Sequence, residues 1–147
     1  MKYTIRLNQN RCVCCYACVI ACLDGHYGID ENGPVLRTAI REENADGKIR
    51  CYTRACQHCR NAKCIAACPS GAIFRDESTG LVLVDTARCI GCRKCAQICP
   101  FGAPKFRSDG RMVKCDGCID RIRRGEEPLC VKTCPSSALT LVKQENK

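Results

Sequence analysis

The chain has 147 residues, 46% of them hydrophobic but only 5% aromatic, with no tryptophan and 18 cysteines. That length allows one domain or two very small ones, and the shortage of large aromatic side chains excludes an ordinary aromatic-rich core. Lys and Arg number 24 against 15 Asp and Glu, a formal charge of +9, while apolar runs such as Cys18 to Leu23 and Leu81 to Val84 are far too short to cross a bilayer.

Lys2 to Leu7 alternates enough to predict an opening strand. Cys15 to Cys22 reads as a loop running into a short helix. Gly28 to Gly33 is turn-rich, and Val35 to Glu42 reads as extended. Asn44-Ala45-Asp46-Gly47 predicts a turn and Ile49 to Ala55 a further strand, which together make a hairpin. Ala72 to Arg75 and Leu81 to Asp85 flank a turn at Asp76 to Gly80. Lys105 to Arg107 and Met112 to Lys114 flank the Ser108-Asp109-Gly110 turn, and Ala138 to Val142 reads as the closing strand.

Sixteen of the cysteines fall into four groups: Cys12, Cys15, Cys18, Cys22; Cys56, Cys59, Cys64, Cys68; Cys89, Cys92, Cys95, Cys99; and Cys115, Cys118, Cys130, Cys134. The first and third have C-x2-C-x2-C-x3-C spacing. The second, third and fourth end in Cys-Pro: Cys68-Pro69, Cys99-Pro100 and Cys134-Pro135. This run is the signature of cubane iron–sulfur ligation, in which the fourth cysteine serves a neighbouring cluster. The competing reading of a single group is structural zinc, which also suits paired C-x2-C motifs. Three evenly spaced cysteines followed by a fourth and a proline suit a cubane better, and the expectation is four [4Fe–4S] clusters. The opening Met1-Lys2-Tyr3-Thr4-Ile5-Arg6 has no apolar stretch of the signal-peptide kind, so a reducing, cytoplasmic location is expected rather than a disulfide framework.

The fourth-ligand rule converts the groups into crossed pairs. The adjacent second and third groups give the sets Cys56, Cys59, Cys64 with Cys99, and Cys89, Cys92, Cys95 with Cys68. The first and fourth groups then pair as Cys12, Cys15, Cys18 with Cys134, and Cys115, Cys118, Cys130 with Cys22. The expected fold is α+β: two ferredoxin-like double-cubane modules in a pseudo-twofold relation, with small β-hairpins and short helices around the clusters. Residues 51–104 form one module, inserted in an outer module made of 1–50 and 105–147. With so much cysteine inside, the clusters act as the core, and the apo chain is expected to be largely unfolded.

An oxidised cubane with four thiolates carries about −2, so four bring roughly −8 and leave the loaded chain near neutral. The basic balance therefore does not point to nucleic acid. Arg88, Arg93, Lys94 and Lys114, close in sequence to the ligands, would favour the reduced state. Cys14 and Cys51 remain outside the ligand set and read as small buried hydrophobes. His58, between Cys56 and Cys59, is expected to pack beside a cluster. His26 reads as a loop or surface histidine. The run Arg121-Ile122-Arg123-Arg124 is either a solvated face or a docking patch for an acidic surface. No dinucleotide, phosphate-loop, zincin or nucleophile-elbow motif is present, so the chain carries no catalytic residues by this reading.

Two stretches resemble the iron–sulfur subunits of the dimethyl sulfoxide reductase family. One is Cys89-Ile90-Gly91-Cys92-Arg93 with Cys99-Pro100-Phe101-Gly102-Ala103-Pro104. The other is Lys114-Cys115-Asp116-Gly117-Cys118 with Asp120-Arg121, Pro128, Cys130-Val131 and Cys134-Pro135. Ala62 stands where the family often has proline, and Leu23 follows Cys22 in place of proline. The resemblance implies the same nested pairing at all sixteen positions. It also implies a non-catalytic electron-transfer subunit bound in a hetero-oligomer to a molybdenum- or tungsten-pterin catalytic subunit, with a further redox subunit or soluble carrier as second partner. Aldehyde oxidoreductase, formate dehydrogenase and dimethyl sulfoxide reductase types are all compatible. The alternatives are a free-standing soluble polyferredoxin, a hydrogenase-associated relay and, remotely, a zinc-binding regulatory protein.

Overall fold

The first and last strands are partners. In the computed structural model, which describes residues 2–28 and 32–144, β1 (Lys2–Leu7) runs antiparallel to β8 (Leu139–Gln144), with Lys2 opposite Gln144 and Leu7 opposite Leu139. The ladder continues past Leu7 through the Asn8 amide, which donates to the Ala138 carbonyl at 2.7 Å. Its inner face, with Ile5, Leu7, Leu139 and Leu141, packs on Cys18, Val19, Ala39, Cys130 and Val131.

Three hairpins lie between these ends. β2 (Thr38–Glu43) pairs with β3 (Ile49–Arg54), β4 (Ile73–Arg75) with β5 (Val82–Val84), and β6 (Lys105–Phe106) with β7 (Met112–Val113). The β4–β5 turn is organised by Asp76, whose carboxylate accepts from the Ser78 hydroxyl at 2.7 Å, the Thr79 hydroxyl at 2.6 Å and the Thr79 amide at 2.9 Å. Thr79 then offers its carbonyl to the Tyr3 amide at 2.9 Å, fastening this turn to β1. Every sheet among the described residues has two strands, and an isolated two-stranded sheet is marginal in water.

The helices are short: α1 (Ala17–Tyr27), α2 (Lys63–Ala67), α3 (Lys94–Ile98), α4 (Ile119–Arg123) and α5 (Leu129–Lys132). Four- and five-residue helices do not hold themselves together and depend on tertiary packing. α1 packs on α5, and α2 on α3. The α1–α5 approach is so close that a Cβ at Gly25 would collide with Leu129 Cδ1. The expected helix at Cys15 to Cys22 starts at Ala17 and runs past Cys22 to Tyr27. The reason is Leu23: where Pro69, Pro100 and Pro135 follow the fourth cysteine, the chain leaves the helix before that cysteine. The extended stretch expected from Val35 becomes regular strand only at Thr38. The turn expected over Gly28 to Gly33 falls partly on residues 29–31, outside the described residues.

The result is a small mixed α/β architecture of short helices and two-stranded antiparallel sheets, consistent with a ferredoxin-like domain. Its largest fully buried side chains are Leu81, Met112, Val82 and Pro128, none of them aromatic, and two of its three apolar clusters contain cysteines. Among the described residues no helix is long and apolar enough to cross a membrane.

Candidate metal centres

The first Cys-x2-Cys step of each group shares one backbone feature. In each, the residue before the second cysteine is left-handed: Cys14 at φ 55°, His58 at 46°, Gly91 at 70° and Gly117 at 72°. Such a residue folds a short loop back on itself, and for Cys14 and His58 the conformation is a costly one. Gly91 has a second reason, since a Cβ there would meet the Gly110 carbonyl oxygen at 2.9 Å. The three Cys-Pro segments share another feature. The third residue past each cysteine, Gly71, Gly102 or Ser137, is left-handed, and its amide donates back to the cysteine carbonyl at 3.3, 3.3 and 3.1 Å. The fourth group, with its long gap from Cys118 to Cys130, is therefore built like the second and third at both ends.

The loops bring cysteines together across the chain. One recess is lined by Cys12, Cys14, Cys15, Cys18 and Cys134, against Leu7, Ala39 and Leu139. A second is lined by Cys68, Cys89, Cys92 and Cys95, against Ile73, Val84 and Met112. Elsewhere Cys115 neighbours Cys130 and Cys22, and Cys118 neighbours Cys130. Cys64 neighbours Cys56 and Cys99, and Cys59 shares the Cys56 loop, its carbonyl accepting from Arg75 Nη2 at 2.6 Å. All 18 thiols are free.

Burial pushes Cys18 and Cys95 up to about 11 and Cys115 up to about 12. Thiols held that high stay protonated at neutral pH until a cation binds the sulfur. Cys68 and Cys134 go the other way. Burial raises them, but the Ser70 and Ser136 hydroxyls and neighbouring backbone amides overcome it and hold both below the usual thiol value. The hydroxyls lie 3.6 and 3.7 Å from the two sulfurs. These sites thus combine soft thiol donors with ready-made hydrogen-bond donors to sulfur.

His58 supplies a further test of fit. Its Nδ1 accepts from the Val82 amide at 3.0 Å, so the ring proton sits on Nε2. That nitrogen is buried with no partner and lies against Gly117 of the fourth group's loop. A buried N–H needs an acceptor, and a cluster sulfur is one. Burial, then the Lys114 charge, lowers the His58 imidazole to about 3, so it is neutral. Lys114 is itself buried and donates to the Val82 and Cys115 carbonyls. The other basic residues singled out by sequence lie nearer the surface: Arg88 donates to the Ser70 carbonyl at 3.3 Å, and Arg93 stacks over Phe106 at 4.7 Å.

Two sequence readings are corrected and one pair of alternatives is decided. His26 is no free surface histidine: Nε2 lies 3.1 Å from Asp116 Oδ1, Nδ1 lies 2.8 Å from the Cys22 carbonyl, and the side chain is 20% exposed. The Asp116 and Cys22 contacts push it up to about 11. Of the two readings of the Arg121–Arg124 run the solvated face holds: Arg123 and Arg124 are exposed, with Arg121 and Arg124 paired to Glu126 and Arg123 to Asp76. Cys14 and Cys51 are partly exposed rather than fully buried, and their side chains touch each other. Sequence reasoning missed Ser70, Ser136 and Arg37. The serines had a signal, standing two residues beyond a cysteine in the repeated Cys-Pro-Ser segment, and Arg37 had none.

Residues 47–144 match the family described as the 4Fe-4S dicluster domain. The sequence is 38% identical over 143 residues to the thiosulfate reductase electron transfer subunit PhsB of Salmonella typhi, covering 94% of this protein and 74% of that one. It is 36% identical over 152 residues to the B subunit of the anaerobic dimethyl sulfoxide reductase of Escherichia coli, covering 94% and 72%. Identity to the iron–sulfur subunit of the nitrate-inducible formate dehydrogenase of Escherichia coli is 35% over 153 residues, covering 90% of this protein and 51% of that one.

Proposed function

The chain belongs to the 4Fe-4S dicluster domain family of iron–sulfur subunits, and from that membership we propose that it is a four-cluster electron-transfer subunit. Its cargo is single electrons, moved to or from a molybdenum- or tungsten-pterin catalytic subunit. The sixteen cysteines divide into the nested sets, and the two double-cubane modules, 51–104 and 1–50 with 105–147, are related by a pseudo-twofold axis. The observation that carries this reading is the recess in which Cys134 joins Cys12, Cys15 and Cys18. The corresponding recess of the inner module joins Cys68 to Cys89, Cys92 and Cys95. Contact of α1 with α5 and of α2 with α3 supports the pseudo-twofold relation.

A [4Fe–4S] cluster held by four thiolates supplies one-electron transfer. The chain's own residues do the rest. Cys18, Cys22, Cys95, Cys115 and Cys130 are buried and keep water from the ligating sulfurs, while Cys15 and Cys92 are exposed. The exposed pair belongs to the two recess-lining sets, so these are the ends at which electrons enter and leave. Lys114 lies between, near Cys64 and hydrogen-bonded to the Cys115 carbonyl.

Anaerobic native purification tests the reading. About 16 iron and as much sulfide per chain are expected, together with a copurifying pterin-containing subunit. Zinc in a colourless protein would remove the electron-transfer assignment, and an isolated monomer at native expression would remove the partner.

A further inference from the structure

Arg37 precedes β2 and is only 5% exposed, one of two buried cations in the molecule's described residues, the other being Lys114. Its Nη1 donates to the Thr53 hydroxyl at 2.8 Å. Among the described residues no carboxylate pairs with it. A guanidinium has five donors and does not lose its charge. Removing it from water with one neutral acceptor costs several kcal/mol in general, a cost that only nearby negative charge offsets. Lys114 differs, because its ammonium is spent on two backbone carbonyls.

Four thiols lie near enough to act on the Arg37 charge: Cys130, Cys115, Cys18 and Cys22. The Arg37 charge is also the leading influence that opposes burial at the Cys130 thiol, and Ala39, two residues further on, packs with Cys18 and Cys130 in one buried cluster. Cys18 lines the recess with Cys12, Cys15 and Cys134, whereas Cys22, Cys115 and Cys130 belong to the neighbouring set. The cation thus stands between two cysteine sets and is shared by both. Its position is fixed from the protein side by Thr53 on β3, part of a hairpin that belongs to neither set.

We infer that Arg37 is a positioning residue for electron transfer, a permanent positive charge between the two outer centres that raises both of their reduction potentials together. The inference rests on the cluster assignment proposed above. Net charge and hydrogen bonding to sulfur are the levers by which protein sets such potentials. One cation facing both centres moves their potentials in the same direction. Lys114, by contrast, stands between an inner and an outer set, near Cys64 and on the Cys115 carbonyl.

The test is an EPR-monitored redox titration of the full chain, in its native assembly, as wild type, Arg37→Gln and Arg37→Lys. Arg37→Gln is expected to disfavour reduction of two of the four centres at least tenfold, a fall of about 59 mV or more for a one-electron couple, with the other two unmoved. Arg37→Lys is expected to keep both potentials near wild type. Four unmoved potentials in Arg37→Gln would overturn the inference, as would an equal shift in Arg37→Lys. If Arg37→Gln loses half its iron, Arg37→Lys decides: restored iron and potentials support the charge, and the same loss shows a packing role and overturns it. A wild-type protein without about 16 iron would fail the cluster assignment itself, a separate result.

Discussion

His26 Nε2 lies 3.1 Å from Asp116 Oδ1, fastening the end of α1 to the fourth cysteine loop across 90 residues of chain. The other ring nitrogen faces the Cys22 carbonyl at 2.8 Å. A carbonyl and a carboxylate only accept, so both ring nitrogens donate and the ring is an imidazolium. Asp116 Oδ1 also accepts from the Cys118 amide at 2.8 Å. The pair therefore orients Cys22 and Cys118, which come from opposite ends of the sequence. Hydrogen bonds to charged groups contribute about 1.5–3 kcal/mol. His26→Ala is expected to speed loss of the visible iron–sulfur absorbance in denaturant by roughly tenfold or more, with His26→Gln intermediate. An unchanged rate in His26→Ala would show that the contact holds nothing.

Cys134 and Cys14 both line the first recess, yet only Cys134 is proposed as a ligand. Cys14 occupies the left-handed position that Gly91 and Gly117 occupy in their loops, and its side chain meets Cys51. Cys134→Ser is therefore expected to damage the centre shared with Cys12, Cys15 and Cys18. Cys14→Ser is expected to leave all four cubane signals. EPR of the two reduced variants, with iron counts, checks this, and the reverse pattern would overturn the pairing.

What the sequence reveals follows the range of the interaction. Cysteine spacing is local, so the four groups and their Cys-Pro endings are legible by eye. The hairpins are legible because the Asn44–Gly47, Asp76–Gly80 and Ser108–Gly110 turns carry their own chemistry. The helix through Cys22 runs further than its pattern suggests, although the missing proline at Leu23 is there to be read. His26 and Arg123 look free in the sequence because their partners, Asp116 and Asp76, lie 90 and 47 residues away. Arg37 is the extreme case. It sits in an ordinary stretch, and its burial exists only once the β2–β3 hairpin and α1 have closed around it.

Asp76 joins two parts of the fold. It holds Ser78 and Thr79 in the β4–β5 turn and pairs with Arg123 of α4 at 2.9 Å. The Ser78 and Thr79 hydroxyls lead the contacts that hold its carboxyl down at about 2. A depressed carboxylate stabilises the fold above its unfolded value near 4, and that contribution is lost as pH falls towards 2. At neutral pH it is fully present. Asp76→Ala is expected to cost about 1–2 kcal/mol, as loss of a helix-cap carboxylate does. The apparent Tm should fall by roughly 3–8 °C. Asp76→Asn, which retains an acceptor but no charge, should lose less. A Tm within a degree of wild type for Asp76→Ala would mean that Thr79 and Arg123 hold the turn without it.

Iron removal should unfold the chain. Two-stranded sheets and four- or five-residue helices are not self-supporting, and the apolar clusters that join them include cysteines. Cys18 and Cys130 sit in one, Cys95 with Cys64, Cys68 and Cys89 in another. Without metal these thiols bring no bond between loops that lie far apart in sequence. β1 and β8 would then have to meet on apolar contacts alone, closing almost the whole chain into one loop, and such closure is entropically costly. Anaerobic chelation of the reduced protein, with thiols kept free, is expected to abolish most helical circular dichroism and the dispersion of amide proton resonances. The signal should return on reconstitution with iron and sulfide. A dispersed spectrum in iron-free protein would show that the polypeptide carries its own core, and that the centres are guests in the fold rather than its supports.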